Sequence, residues 1–335
     1  KMDNQMKEST IDEKIGVSVI CNTYNHEKYI AKTLNSILEQ RTEFVIEVLV
    51  HDDASTDKTA DIIRDFQYRF PDIIKPVYQT KNQYSMGVDI IQMYQFPRVK
   101  GKYFAFCEGD DYWNDPYKLQ KQYDELELHV DIDICAHASY VLNSSKKIRM
   151  NDIVPAAKNT IFSMSEVIRG GGGFVATNSL LMRASLLDEQ PDFFKKCSLD
   201  YSIQMYGALK GGMLYLSDKM STYRYMIAGS WSDRTEKDTV YKENQLNIVM
   251  SLLRGVDEYT EYQYSQDISM VMSKERYNFL METGSYRIAR HEQKQYFKTV
   301  CSAKDKIYNY CMDYCPWFVI LVQRISKKSF REYGK

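Results

Sequence analysis

The chain has 335 residues and a mass of 39.3 kDa, with 44% hydrophobic and 27% charged residues. That is the balance of a soluble globular protein large enough for one core and a smaller attached unit. A formal net charge of −1 gives no global field for nucleic acid, so any binding surface must be local. The seven cysteines (21, 107, 135, 197, 301, 311, 315) are odd in number and mostly inside apolar runs. They suit a reduced cytosolic chain better than a disulfide framework, and Cys311 and Cys315 lack companions at zinc-site spacing.

In chain order, the polar stretch 1–14 reads as a flexible N-terminus without the apolar segment of a signal peptide. "VSVICNT" (17–23) is a β-branched strand, followed by a helical pattern over 27–40. "FVIEVLVHDD" (44–53) predicts a second strand. "STDKTADIIRDFQYRF" (55–70) predicts a helix with Ser55 or Thr56 as N-cap and an apolar stripe of Ile62, Ile63, Phe66 and Phe70. "IIKPVYQ" (73–79) is a strand made edge-like by its proline. A helix near 86–96, a strand over 102–111 and a helix over 116–129 opening with proline follow. Residues 132–142 continue the sheet, 143–160 are a polar excursion, and the glycine run at 170–173 is a mobile loop feeding another strand. A helix at about 199–210 and a hairpin over 211–225 complete the alternation, and from about 235 the pattern is helical throughout. Strands alternating with helices imply an α/β domain whose mostly parallel sheet is covered on both faces.

In an open sheet of this kind ligands bind beyond the carboxyl ends of the strands. Three strands end in polar clusters, "NTYN" (22–25), "HDDAST" (51–56) and "CEGDDYW" (107–113), which parallel strands would bring to one rim. Asp110 and Asp111 are suited to a hard divalent cation shared with phosphate oxygens. A solvated Gly-Asp turn is the competing explanation. Asp52 and Asp53 either lead into the following helix or accept hydrogen bonds from a base or ribose. Tyr24 either stacks on a base or is structural. No G-x-G-x-x-G follows the first strand and no G-x-x-x-x-G-K-[ST] occurs, which argues against a dinucleotide oxidoreductase and a P-loop NTPase.

Taken together, "VSVICNTYNHEKYIAKTLNSILEQ", "VLVHDDASTDKTADII", "KYFAFCEGDDYWNDPYKLQKQ" and "LSDKMSTYRYMIAGSWS" resemble family 2 of the glycosyltransferases, inverting enzymes with the GT-A fold. The variant with "EGDDYW" resembles bacterial enzymes of surface-polysaccharide synthesis, capsule and O-antigen included. The likeness covers residues 15–232, taken as the catalytic domain, and leaves 233–335 as a helical C-terminal domain. It implies that Asn22, Thr23, Tyr24, Asn25 and Asp53 hold the uracil or ribose of a UDP-sugar. Asp111 would bind Mg²⁺ or Mn²⁺ across the diphosphate, with Asp110 near the ribose or metal. Asp200 would be the general base toward an acceptor hydroxyl; with Met226 in the chain, either the metal uses Asp111, phosphate and water only, or Arg224 with the loop Ser230, Trp231 and Ser232 supplies charge and closure at the diphosphate. Two departures stand out. Leu199 replaces the acid that commonly precedes the base, and Met226 stands where relatives often have a histidine. A thioether is a poor ligand for a hard cation.

The end of the chain, "CPWFVILVQRISKKSFREYGK" (315–335), joins an apolar run to Arg324, Lys327, Lys328 and Arg331. Too short to span a bilayer, residues 316–331 suit a helix lying in the inner membrane surface or one docking on the protein or on a second subunit. Three functions therefore compete. The first is an inverting UDP-sugar glycosyltransferase acting on a polyprenyl-linked bacterial glycan. The others are a nucleotidyltransferase and a non-catalytic sugar-nucleotide or glycan-binding protein.

Overall fold

The structure, a computed structural model, describes residues 15–197 and 199–317. The arm expected over 1–14, and all but the first two residues of the segment 316–331, lie outside them. The chain divides into two compact units, the first ending at Ala228 and the second beginning at Gly229.

The first unit alternates strand and helix through β1 (Ile15–Thr23), α1 (Ile30–Leu38), β2 (Val45–Asp52), α2 (Thr59–Arg69) and β3 (Ile74–Tyr78). It continues with β4 (Tyr103–Phe106), β5 (Tyr112–Trp113), α3 (Lys118–Leu128), β6 (Ile134–Asn143), β7 (Ile148–Arg149) and β8 (Thr160–Phe162). α4 (Met164–Gly170), β9 (Leu181–Arg183), α5 (Asp192–Lys195), α6 (Asp200–Ala208) and β10 (Met213–Tyr225) close it.

One sheet holds all ten strands, in the order β3-β2-β1-β4-β9-β6-β10-β5, with β7 on β6 and β8 on β10. β1 to β4 are mutually parallel, and β10 is parallel to β6. β9 runs antiparallel between β4 and β6, so β6 and β10 point the same way as the first four strands. β3 is the edge that its proline predicts. Both faces are covered, which is why the strands read as continuous apolar runs rather than alternating ones. Val17, Val19, Val48, Val50 and Ala105 pack with Leu34, Ile37, Ile63, Phe66 and Leu119 in one cluster. Phe104 and Phe106 are buried too, and Phe104 meets Phe96, which stacks on Phe194.

Several expectations are corrected. The segment expected as a helix near 86–96 is a 3₁₀ turn (84–86), a five-residue π-helical turn (91–95) and a second 3₁₀ turn (96–98), because Gly87 takes a φ of +79° and Pro97 interrupts the ladder. α2 begins at Thr59 rather than 55, and neither Ser55 nor Thr56 caps it; the Asp57 carboxylate takes the Thr59 amide instead. α3 starts two residues after Pro116. The strand expected over 102–111 ends at Phe106. The hairpin expected over 211–225 is one long strand, in which Ser217 and Asp218 bulge out between the partners of His137 and Ala138. The glycine run follows α4, and the buried Gln204 amide donates to the Gly172 carbonyl at 2.9 Å.

The second unit is helical, with α7 (Trp231–Lys237), α8 (Thr239–Tyr259), α9 (Ser265–Glu282), α10 (Tyr286–Glu292), α11 (Lys294–Thr299) and α12 (Ala303–Tyr314). Tyr277, Leu280, Ala289, Phe297 and Cys301 form a small core. None of the helices, among the described residues, is long and apolar enough to cross a membrane.

Candidate active site

The parallel strands bring the ends of β1, β2, β4 and β10 to one rim. β1 ends at Thr23, and the Asn22 carbonyl accepts the Gly109 amide at 2.8 Å, tying the turn after β4 to the loop after β1. Gly109 is required there: a Cβ would lie 2.5 Å from the Thr23 hydroxyl and 2.6 Å from its Cβ. On this turn Glu108, Asp110 and Asp111 each offer a carboxylate oxygen within 4.8 Å of the others.

The three acids are not equivalent. Asp111 is buried, and both its oxygens are engaged: Oδ2 accepts the Asn178 side-chain amide at 2.7 Å and Oδ1 the Arg224 backbone N–H at 2.8 Å. Asp110 is half-buried, with His26 Nε2 3.7 Å from its Oδ2, and the Arg224 guanidinium donates to its backbone carbonyl. Burial raises Glu108 well above a free glutamate, and the charges of Asp200, Asp110 and Asp111 push the same way. Burial, then Asp110, raises Asp111 similarly, against the lowering effect of Arg224 and Asn178. This crowding of like charge is what a divalent cation would relieve, and an all-oxygen donor set fits Mg²⁺ or Mn²⁺. Met226 adds no hard ligand; it follows β10 with a left-handed φ of +61°.

Asp200 opens α6, a position favourable to a carboxylate. Its side chain reaches solvent, yet surrounding protein strips enough water to raise its carboxyl, while the Thr177 hydroxyl lowers it. Glu108 feels its charge, so β4's turn and α6's start converge. The Tyr223 phenol joins them: burial pushes it up, and Asp111, Asp200, Glu108 and Asp110 add to the rise. Beside this lie cations stacked on aromatics, with Lys32 Nζ 3.4 Å from the Tyr112 ring centre and the Arg224 guanidinium 4.5 Å from it.

The nucleotide-side residues divide. The Asn22 side-chain oxygen accepts the buried Gln95 amide at 2.7 Å, and Thr23 Oγ1 lies 3.1 Å from His26 Nδ1. Asn25, at a φ of +55°, clasps the Ser55–Thr56 loop through its own N–H and its side-chain oxygen. Tyr24 is exposed, a free face for stacking. Asp53 is buried, its two oxygens on the amides of Gln83 (2.7 Å) and Tyr84 (3.0 Å), with His51 Nε2 at 3.6 Å. Burial lowers the His51 imidazole, against the raising effect of Asp53. Ser230, Trp231 and Ser232 belong to the second unit, where Ser230 caps α7 through the Asp233 amide and Trp231 donates to Gln245 at 3.2 Å.

Glu108, His26, Asn178 and Tyr223 had no role assigned from sequence. Glu108 was visible as acid at a strand's end, and Tyr223 as part of the last apolar–polar stretch. Asn178 carries no local signal, since "ATNS" matches no motif.

Against known proteins, the model of glycosyl transferase family 2 matches residues 18–189. An uncharacterized protein of Mycobacterium tuberculosis is 31% identical over 219 residues, 64% of this chain and 60% of its own length; the chain thus spans about 60% of that relative. The putative teichuronic acid biosynthesis glycosyltransferase TuaG of Bacillus subtilis is 36% identical over 106 residues, 32% of this chain and 40% of that one. The Escherichia coli UDP-Glc:alpha-D-GlcNAc-diphosphoundecaprenol beta-1,3-glucosyltransferase WfaP is 36% identical over 97 residues, 29% of this chain and 36% of its own. Among solved structures, Staphylococcus aureus TarS 1–349 in complex with UDP-GlcNAc superposes with a TM-score of 0.59 at 19% identity, covering 87% of this chain and 78% of that one. That likeness shows the fold.

Proposed function

The chain belongs to glycosyl transferase family 2, and from that premise we propose that it is an inverting glycosyltransferase. In this reading it moves a sugar from a UDP-sugar to a hydroxyl of a growing, lipid-linked bacterial surface glycan. The observation that carries this reading is the meeting of the Glu108–Asp110–Asp111 cluster with Asp200 at the rim reached by the loop after β1. The UDP-GlcNAc named in the TarS complex supports the donor, and the diphosphoundecaprenol-linked sugar named for WfaP supports the acceptor.

When bound, Mg²⁺ or Mn²⁺ would neutralise charge developing on the diphosphate leaving group. Asp110 has the carboxylate left open by its surroundings, so it and Glu108 are the residues we assign to hold the cation. Asp111, whose oxygens are already taken, then anchors the pair rather than acting as the sole ligand. Arg224 and Lys32 add positive charge on the diphosphate side. The Asn22–Asn25 loop and exposed Tyr24 receive the uridine. Asp53 acts on the nucleotide by holding the Gln83–Tyr84 backbone in place. Asp200 removes the acceptor proton as the oxygen attacks the anomeric carbon from the face opposite the leaving group. A single displacement inverts that centre, and Asp200 alone carries the base role beside Leu199.

The test is a thermal-shift panel of UDP-, GDP- and dTDP-sugars with and without Mn²⁺. A UDP compound is expected to raise the melting temperature, more so with Mn²⁺. Stabilisation by GDP- or dTDP-sugars alone overturns the donor assignment.

A further inference from the structure

The π-helical turn over 91–95 carries a fully buried glutamine whose hydrogen bonds fix the direction of a second amide. Gln95 Nε2 donates to the Leu49 carbonyl at 3.0 Å and to the Asn22 side-chain oxygen at 2.7 Å, while Oε1 accepts from the Arg98 guanidinium at 3.4 Å. Two of these partners can play only one part: a carbonyl accepts and a guanidinium donates. Leu49 and Arg98 therefore decide which end of the Gln95 amide is nitrogen. That nitrogen must meet an oxygen on Asn22, so the direction of the Asn22 amide is decided as well.

Asn22 is left with its donors free. No described residue partners its Nδ2; the residue is half-buried and stands two positions before exposed Tyr24. Its backbone is held on both sides, since β1 pairs it with His51 and its carbonyl takes the Gly109 amide. Only the side chain could turn over, and Gln95 prevents that. The neighbouring Tyr94 hydroxyl donates to Gln83 Oε1 at 3.2 Å, and the Gln83 backbone amide is bound to Asp53. One short turn thus supports both Asn22 and Asp53. Turns of this uncommon kind recur at functional sites.

We infer that Gln95 is a positioning residue for base recognition: it holds Asn22 with N–H donors alone toward the nucleotide, which selects a carbonyl edge over an amino edge. The inference rests on the uridine reading above and adds what the loop discriminates. Uracil carries carbonyl oxygens on both sides of N3, whereas cytosine has an amino group at position 4, which would set donor against donor.

The test is isothermal titration calorimetry of the full chain with UDP and with CDP, both in the presence of Mn²⁺. Wild type is expected to bind UDP at least about tenfold more tightly than CDP, because a mismatched edge leaves donors unpaired. Asn22→Asp keeps an oxygen toward Gln95 and makes the free end an acceptor, so the preference for UDP over CDP is expected to fall at least about tenfold. Gln95→Met removes the donor that holds Asn22 and is expected to bring the preference toward one. Looser packing alone would weaken both nucleotides alike, so the ratio separates positioning from a structural role. Asn22→Asp carries the test by itself should Gln95→Met fail to fold. Equal binding of UDP and CDP by wild type, or an unchanged ratio in Asn22→Asp or in folded Gln95→Met, would overturn the inference and leave the UDP-sugar reading standing. A wild type that binds neither nucleotide would remove both.

Discussion

The Asn178 side-chain amide donates to Asp111 at 2.7 Å while its oxygen accepts from Ser221 at 2.6 Å, and all three residues are buried. The Asn178 carbonyl also takes the Trp113 indole N–H at 2.9 Å, so one residue fixes the acid, the ring after it and the β10 serine together. Replacing Asn178 by Ala would leave a buried carboxylate oxygen of Asp111 short of its donor, a cost of about 1–3 kcal/mol, while the Ser221 hydroxyl keeps the Ser139 hydroxyl at 2.8 Å. Mn²⁺ binding, read by electron paramagnetic resonance, is expected to weaken in this variant. Retention of wild-type stability would refute the anchoring role.

Asp110 and Asp111 should separate under the same substitution. Asp110→Asn is expected to lose Mn²⁺ binding with little change in melting temperature, because its carboxylate has few protein partners. Asp111→Asn presents one amide N–H to donors that previously met two oxygens, and is expected to cost about 1–3 kcal/mol. Calorimetry of unfolding together with Mn²⁺ titration checks both, and the reverse pattern would return the ligand role to Asp111.

Asp200→Asn is expected to reduce transfer by at least ~10²-fold while leaving UDP-sugar binding in place. Because burial raises the Asp200 carboxyl above 3.8, activity should fall on acidification at a pH above that of a free aspartate. Equal transfer by the variant would remove Asp200 from the mechanism.

Glu108 should make the cation-free protein respond to pH with an uncommon sign. Its carboxyl is raised in the folded state, so the unfolded state binds fewer protons between 4.5 and the raised value. Stability is therefore expected to increase as pH falls through that window, and the increase should shrink in Glu108→Gln or with Mn²⁺ present. Melting curves from pH 8 to 5 measure it, and an unchanged slope in the variant would count against the crowded-acid account.

Lys118 gives a second pH test away from the chemistry. It is fully buried, with Nζ 4.1 Å from the Trp113 ring centre, and burial pushes its ammonium down to about 7. The unfolded chain binds the proton between about 7 and 10.5, so this lysine makes stability rise with pH across that range. Lys118→Met is expected to flatten the rise and to match or exceed wild-type stability at pH 7; a steep loss instead would show that the ammonium is needed on the indole face.

Sequence by itself determined the alternation of strands and helices, the edge position of β3, and the gathering of acid at the end of β4. Each depends on neighbours along the chain, through apolar runs, a proline, or like charges set side by side. It also carried enough pattern for the family resemblance over residues 15–232. The tertiary structure decided which acid is open and which is tied. Asp111 meets Asn178 and Arg224, which lie 67 and 113 residues away. Such partners follow no local period, because strand order decides them. The same holds for Asp53, whose oxygens meet amides about 30 residues on, and for α12. The aromatic and polar residues of α12 look evenly mixed in sequence until Arg290 draws Asn309 and Asp313 inward and leaves the tyrosines facing out.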